Sequence, residues 1–258
     1  MTTMQPEPEL SIVMPVYNEA ASIAGVVERT AAHMDRGGIR YEIHVVDDGS
    51  DDGTTGVLRR IMAQQPRLRV VRHEVNRGYG AAIRTGLQAA RGGHILVSDG
   101  DGQFLIEDLE PLWTRRAQAD VVLGYRKERR DPAIRRLAGW LYGRVLVRIT
   151  LGGRFRDVNC GFKLIARPLL DGMELQSTGA LISAELLTRA RLRGARFVEV
   201  GVRHLPRRSG KATGLLPRVV LRMFGELVTL RRSIMHGRSN RAREGLRPEC
   251  DAVESASV

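Results

Sequence analysis

Ser98-Asp99-Gly100-Asp101-Gly102-Gln103 carries two carboxylates one residue apart, with glycines between and after them, directly behind the apolar run His94–Val97. Carboxylate oxygens are hard ligands, and glycine lets the backbone approach a phosphate with no Cβ in the way. Asp99, Gly100 and Asp101 therefore suit a divalent cation bridging the phosphates of a nucleotide. The same residues also suit a plain Gly/Asp turn after a strand. What the rest of the chain carries gives the first reading its weight.

The elements that must position this turn are legible from the apolar pattern. Leu10–Val16 is a short β-branched run expected to stop as a strand at Pro15. Tyr17-Asn18-Glu19 and a helix holding Ile23, Val26 and Val27 follow. Tyr41–Val46 reads as a second strand, ending in Asp47-Asp48-Gly49-Ser50-Asp51-Asp52-Gly53-Thr54 and a helix to about Gln65. A third strand over Leu68–Arg72 leads through Asn76-Arg77-Gly78-Tyr79-Gly80 into a helix over 81–91. The fourth strand bears the Asp-Gly-Asp turn, 106–117 is expected to be helical, and a fifth strand covers 120–124. Strands alternating with helices of ten to fifteen residues predict an α/β domain with a largely parallel sheet covered on both faces. Ligands of such sheets bind beyond the carboxyl ends of the strands, which places Asp48 and Asp101 near each other.

The second half differs in charge. Residues 1–110 hold 11 Lys/Arg against 16 Asp/Glu, whereas 111–258 hold 30 against 13, within a total net charge of +12. An acidic metal and nucleotide half is thus joined to a basic half expected to meet an anion: a phosphate-bearing acceptor, an acidic membrane surface or nucleic acid. Aromatic residues make up only 5%, and no zinc-finger spacing or nucleic-acid signature occurs, which argues against nucleic acid. The loop 126–132 is charged, 135–151 reads as an Arg-studded helix, and 157–165 as a turn entering a strand. A helix over 182–193 and a last strand over 197–202 complete the domain. Within 215–235, Arg218, Arg222 and Glu226 draw one polar stripe on an apolar helix, which suits a membrane interface or packing against protein. The division expected is a tail over 1–9, a catalytic domain over 10–212, this helix over 213–236, and a polar tail over 237–258. No run of eighteen uncharged apolar residues occurs, so no membrane span is expected. The polar start of the chain and two cysteines without framework spacing point to the cytoplasm, with peripheral attachment to the inner face of the cell membrane through the amphipathic helix.

Taken together, Val13-Met14-Pro15-Val16-Tyr17-Asn18-Glu19, the Asp47–Thr54 motif, Asn76–Gly80 and Asp99–Gln103 resemble the family-2 glycosyltransferases with the A-type nucleotide-sugar fold. Gly124-Tyr125-Arg126, the Arg-rich helix, Asp157–Lys163, Glu199-Val200 and Arg207 extend the resemblance to the polyprenyl-phosphate (dolichyl-phosphate) sugar synthases. It covers roughly residues 10–235. The resemblance implies Pro15, Tyr17 and Glu19 around the nucleoside, and Asp48 with Val46 at the base. It also implies Asp99 at the ribose or the metal, and Asp101 with Gln103 coordinating Mg²⁺ or Mn²⁺ between diphosphate oxygens. Arg126, Arg136 and Arg207 would hold phosphates of donor and acceptor, and Lys211 would assist from a position shifted relative to the family pattern.

The implied reaction moves a hexose from a GDP- or UDP-sugar to a polyprenyl monophosphate with inversion. A phosphate acceptor is already ionised near neutral pH and needs no strong base, so orientation by Arg126 and its neighbours supplies most of the advantage. An alcohol acceptor would need a carboxylate base, for which Asp157 is the first candidate and Glu185 a poorer one. His204 is a possible phosphate contact. Gln-x-x-Arg-Trp is absent, which argues against chain elongation. The alternatives are a non-processive transferase using a soluble metabolite or an envelope precursor, an inactive nucleotide-sugar-binding partner subunit, and a membrane-protein partner docked on the amphipathic helix.

Overall fold

A computed structural model describes residues 7–127 and 155–207. Residues 1–6, Arg136 with the helix expected over 135–151, Lys211, the helix expected over 213–236 and the tail expected over 237–258 lie outside the described residues. Seven strands form one sheet in the order β3-β2-β1-β4-β6-β5-β7. They are β1 (Leu10–Val16), β2 (Tyr41–Asp47), β3 (Leu68–Arg72), β4 (His94–Ser98), β5 (Val121–Arg126), β6 (Phe162–Ala166) and β7 (Phe197–Val202). All pairings are parallel except those of β6, which runs antiparallel to β4 and to β5.

The described residues form the helices α1 (Ile23–Gly37), α2 (Thr54–Met62), α3 (Tyr79–Ala89), α4 (Leu109–Trp113), α5 (Arg167–Leu170) and α6 (Ile182–Leu192). The two-residue period of a strand divides β1 between two cores. Ile12, Met14 and Val16 pack with Val27 and Met34 of α1 and Leu58 of α2, while Val13 packs with Ile83 and Leu87 of α3 and Leu187 of α6. Both faces are therefore covered, as an α/β sheet requires.

Two elements depart from the pattern the sequence suggests. β1 continues through Pro15, which pairs with Val46 of β2. Pairing of β1 with β4 has ended by then at Val13–Val97, so the missing N–H of Pro15 removes no ladder bond. The helix expected over 106–117 is a 3-10 turn, Ile106–Asp108, followed by the short α4. Pro111 fits only because it falls in the first turn of α4, where an N–H is not needed.

A buried polar cluster ties the amino ends of the strands together, away from the site. Glu42 of β2 accepts from Ser11 Oγ at 2.6 Å and from the Arg91 amide at 2.8 Å, and His44 Nε2 lies 3.1 Å away. Burial pushes the Glu42 carboxyl up, but the bonds from His44, Ser11 and the Arg91 amide outweigh it and hold it down at about 2. A carboxyl lowered on folding contributes stability above its unfolded value of 4.5 and loses it as pH falls towards about 2. Denaturant melts of the wild type and Glu42→Gln should therefore differ most near pH 7 and converge between pH 4.5 and about 2. A difference independent of pH would contradict this.

Candidate active site

The site is built where the sheet changes direction. β2 and β3 lie on one side of β1 and β4 on the other, and the crevice beyond the carboxyl ends of β1 and β4 is the topological switch point of an open α/β sheet. Four aspartates of the Asp47–Thr54 motif hold its loops. Asp47, fully buried, accepts from the Ser50 amide at 3.0 Å and from Thr55 Oγ1 at 2.6 Å. Asp51 and Asp52 grip the loop after β1 through Asn18 Nδ2 (2.8 Å) and the Ala20 amide (3.0 Å). Asn18 there adopts a left-handed φ of 58°, a conformation asparagine tolerates better than most residues. Asp48 turns to the segment after β3, accepting from His73 Nδ1 and the amides of Arg77 and Gly78. Val46 and Pro15 are buried in the sheet, whereas Tyr17 is exposed at the rim.

The turn after β4 brings the acidic groups together. Gly100 packs on Val16, and Gly102 takes a φ of +75° that suits glycine. Asp99 accepts from the Tyr79 hydroxyl at 2.7 Å, and Gly161 lies so close that a methyl group there would collide with the Asp99 carboxylate. Burial and the neighbouring Asp99 charge push the Tyr79 phenol well up, keeping it a donor. Asp101 accepts from the Gln103 amide at 3.0 Å and lies 3.4 Å from Arg207, which also bonds Glu19. Arg207 thus bridges Glu19 after β1 and Asp101 after β4. Burial and the Asp99 charge, with a smaller push from Glu19, raise the Asp101 carboxyl to about 6 despite Arg207 and the Gln103 amide. Gln103 is tied to the segment after β7 by two bonds: its side-chain amide donates to the Leu205 carbonyl at 2.9 Å, and the Leu205 amide donates back at 2.8 Å. His204 stands edge-on to Phe104, with ring centres 5.1 Å apart.

Arg126 and Asp157, given separate roles by the sequence reading, are partners. The guanidinium makes a two-pronged contact with the carboxylate at 2.7 and 3.0 Å. Glu185, the poorer base candidate, is 1% exposed and anchors the segment before α6. It accepts from the Gln176 and Ser177 amides at 3.0 and 2.7 Å and from Arg189 at 2.8 Å. Thr178 of the same segment accepts from the Gly80 amide at 2.8 Å, so the first amides of α3 are satisfied by protein. A methyl group on Gly80 would stand 2.6 Å from the Ser177 carbonyl oxygen. Glu185→Gln removes a charge that three donors share and is expected to cost about 2 kcal/mol in denaturant unfolding. A loss under about 0.5 kcal/mol would show that the segment holds itself.

Four groups at the site lacked a distinct signal in the sequence. Lys163 is fully enclosed, bonding the Cys160 carbonyl and Ser183 Oγ, and burial lowers its ammonium. His73 and Thr85 sit behind Asp48, and Gly161 sits against Asp99. Gly161 and Lys163 lie within the Asp157–Lys163 stretch and Tyr79 within Asn76–Gly80, but neither stretch indicates which side chain its residues meet. Cys160 is buried and its thiol is pushed up to about 12, which makes it an inert core residue.

Among the described residues no three His, Cys, Asp or Glu side chains form a metal cage. The acidic turn nonetheless fits a hard cation shared with a ligand. Mg²⁺ and similar ions take one or two carboxylates and complete their shell with phosphate and water, and a carboxyl held at about 6 by burial and by the Asp99 charge gains from added positive charge. No described helix is long and apolar enough to cross a membrane.

Known proteins resemble this chain in sequence and in fold. Residues 11–171 match the family model described as Glycosyl transferase family 2. The dodecaprenyl-phosphate galacturonate synthase of Rhizobium johnstonii is 34% identical over 171 residues, 65% of this chain and 50% of that protein. The undecaprenyl-phosphate 4-deoxy-4-formamido-L-arabinose transferase of Edwardsiella ictaluri is 34% identical over 226 residues, 85% of this chain and 67% of that protein. The chain thus spans half the length of the first relative and two thirds of the second. Among solved structures, glucosyl-3-phosphoglycerate synthase from Mycobacterium tuberculosis, crystallised with Mn²⁺, UDP and phosphoglyceric acid, superposes with a TM-score of 0.64 at 22% identity, over 85% of this chain and 78% of that one. Mannosyl-3-phosphoglycerate synthase from Rubrobacter xylanophilus gives 0.66 at 21% identity, over 90% and 76%. At these identities the likeness speaks to the fold, which is of the A-type glycosyltransferase class.

Proposed function

Because the chain belongs to glycosyl transferase family 2, we propose that it transfers a hexose from a nucleotide-diphosphate sugar to a polyprenyl monophosphate, assisted by a divalent cation. The observation that carries this reading is the acidic centre at the switch point, where Asp99 and Asp101 meet Glu19 and Arg207. The names of the two curated relatives, both transferases or synthases acting on a polyprenyl phosphate, support the acceptor class. Asp99, Asp101 and Gln103 would hold Mg²⁺ or Mn²⁺. The cation, when bound, neutralises charge growing on the departing diphosphate.

The remaining work falls to the chain itself. Tyr17 and the loops fixed by Asp48, Asp51 and Asp52 form the wall for the nucleoside. Arg207, held between Glu19 and Asp101, supplies a positive charge at the diphosphate end. An ionised oxygen of the acceptor phosphate attacks the anomeric carbon as the bond to the nucleotide's distal phosphate oxygen breaks. The nucleoside diphosphate leaves, the configuration inverts, and no proton changes hands. That balance agrees with Asp157 being paired with Arg126 instead of standing ready as a base. Arg126, Arg136 and Lys211 remain proposed phosphate contacts. The basic second half and the helix expected over 213–236 are proposed to bring the protein to the cytoplasmic face of the membrane.

The acceptor class is tested by following nucleoside diphosphate release from UDP- and GDP-sugars with a polyprenyl monophosphate, the matching polyprenol, or a soluble phosphate ester. Release stimulated only by the polyprenyl monophosphate is expected. Stimulation by the soluble ester alone would replace the lipid acceptor with a soluble one.

A further inference from the structure

Resting on the nucleotide site proposed above, we infer that a buried strut of Thr85, His73 and Asp48 sets which nucleobase the site accepts. His73 is 6% exposed and Asp48 2%. His73 Nδ1 lies 2.7 Å from Asp48 Oδ1, and its Nε2 lies 3.0 Å from Thr85 Oγ1 on α3. Its own amide donates to the Asp47 carbonyl at 2.8 Å. The histidine is thus fixed at three points between β2, the end of β3 and α3. Asp48 passes this rigidity on: it also accepts from the amides of Arg77 at 2.9 Å and Gly78 at 2.8 Å. A carboxylate offers about four acceptor sites, and three are filled by donors of the 73–78 segment. Asp48 therefore acts mainly on that segment, leaving little capacity to read a base directly.

The segment is seated as closely as backbone allows. Gly49 has a φ of +75°, and a Cβ there would stand 2.6 Å from the Val75 carbonyl carbon. Val75 is left 67% exposed at the carboxyl end of β2, on the side of β1 away from Asp101. Uracil and guanine present different donors and acceptors along their edges. Peptide groups can discriminate between them only if held within hydrogen-bonding tolerance, because a misplaced peptide leaves a polar group unpaired with either base. The strut supplies that constraint before the ligand arrives, so the cost of ordering the wall is not charged against binding. His73 is a positioning residue on this account and touches no ligand.

Calorimetric titration of UDP and GDP in the presence of Mn²⁺ tests this on the wild type, His73→Ala, His73→Asn and Thr85→Val, with a thermal melt of each. The wild type is expected to prefer one nucleotide. In His73→Ala that nucleotide should bind about tenfold more weakly and the UDP-to-GDP affinity ratio should contract by a similar factor. His73→Asn keeps a donor for Asp48 and should restore most of the ratio. A folded His73→Ala with an unchanged ratio would overturn the inference, even if it melted lower, since a merely structural histidine does just that. Should His73→Ala not fold, Thr85→Val decides, with a contraction of about threefold expected and an unchanged ratio overturning the inference. A wild type that binds neither nucleotide would instead remove the nucleotide site, and the inference with it.

Discussion

Asp101→Ala is expected to lower turnover by on the order of 10³-fold, the scale of losing one preorganised electrostatic group aimed at developing charge. Stability is expected to move the other way. Burial and the Asp99 charge raise the Asp101 carboxyl from 3.8 to about 6, so its ionised form is the one disfavoured in the folded protein. That penalty is absent below 3.8 and fully present above about 6, so removing the group at pH 7.5 should leave the melting temperature unchanged or higher. Arg207 keeps its bond to Glu19 in the variant, so no cation is stranded. Turnover assays and melts on one preparation check both halves. Turnover within tenfold of the wild type would remove Asp101 from the site, and a large fall in melting temperature would make it a structural residue.

Arg126→Ala should produce the largest loss of stability among single changes at the site. The Asp157 side chain is 4% exposed and the Arg126 side chain 16%, and the two-pronged contact leaves a buried carboxylate behind when the guanidinium goes. Breaking a buried pair from one side costs about 3–5 kcal/mol, whereas replacing both partners by apolar groups is often close to neutral. The double variant Arg126→Met/Asp157→Leu is therefore expected to regain most of the stability lost in Arg126→Ala, while remaining inactive. A double-mutant cycle by denaturant unfolding gives the coupling, and equal, additive losses would show that the pair is not holding the second half of the site together. An Arg126→Ala protein of wild-type stability but without activity would assign the guanidinium wholly to ligand.

Much of the frame was legible because its signals are local. The apolar runs at 10–16, 41–46, 68–72 and 94–97, separated by helix-length segments, give four parallel strands in the correct places, and the Asp-Gly-Asp turn sits at the end of β4 as the sequence pattern predicts. The orientation of β6 was not legible, since five residues with a mixed pattern carry no information on direction. Lys163 illustrates the same limit: a lysine between Phe162 and Leu164 reads as solvent-facing alternation, yet both faces of this sheet are covered and it is 4% exposed. The site's wiring was the least legible part. Asp48 finds His73 25 residues away, and Arg207 finds Glu19 188 residues away. An aspartate that grips its own loops and one that grips a ligand look identical in a motif. The same holds for Asp157, whose bond to Arg126 turns two separately reasoned roles into one structural contact.

The most direct measurement is phase partition of labelled sugar. The purified protein is incubated with a polyprenyl monophosphate and UDP- or GDP-linked labelled sugars, with Mn²⁺ or Mg²⁺ and in parallel with EDTA, and the organic phase is counted. Label entering the organic phase from one donor class, only with metal and not with Asp101→Ala, is the expected result. Label that transfers equally well in EDTA, or that never leaves the aqueous phase for any donor while the protein still binds nucleotide, would contradict a metal-assisted transfer of sugar to a lipid phosphate.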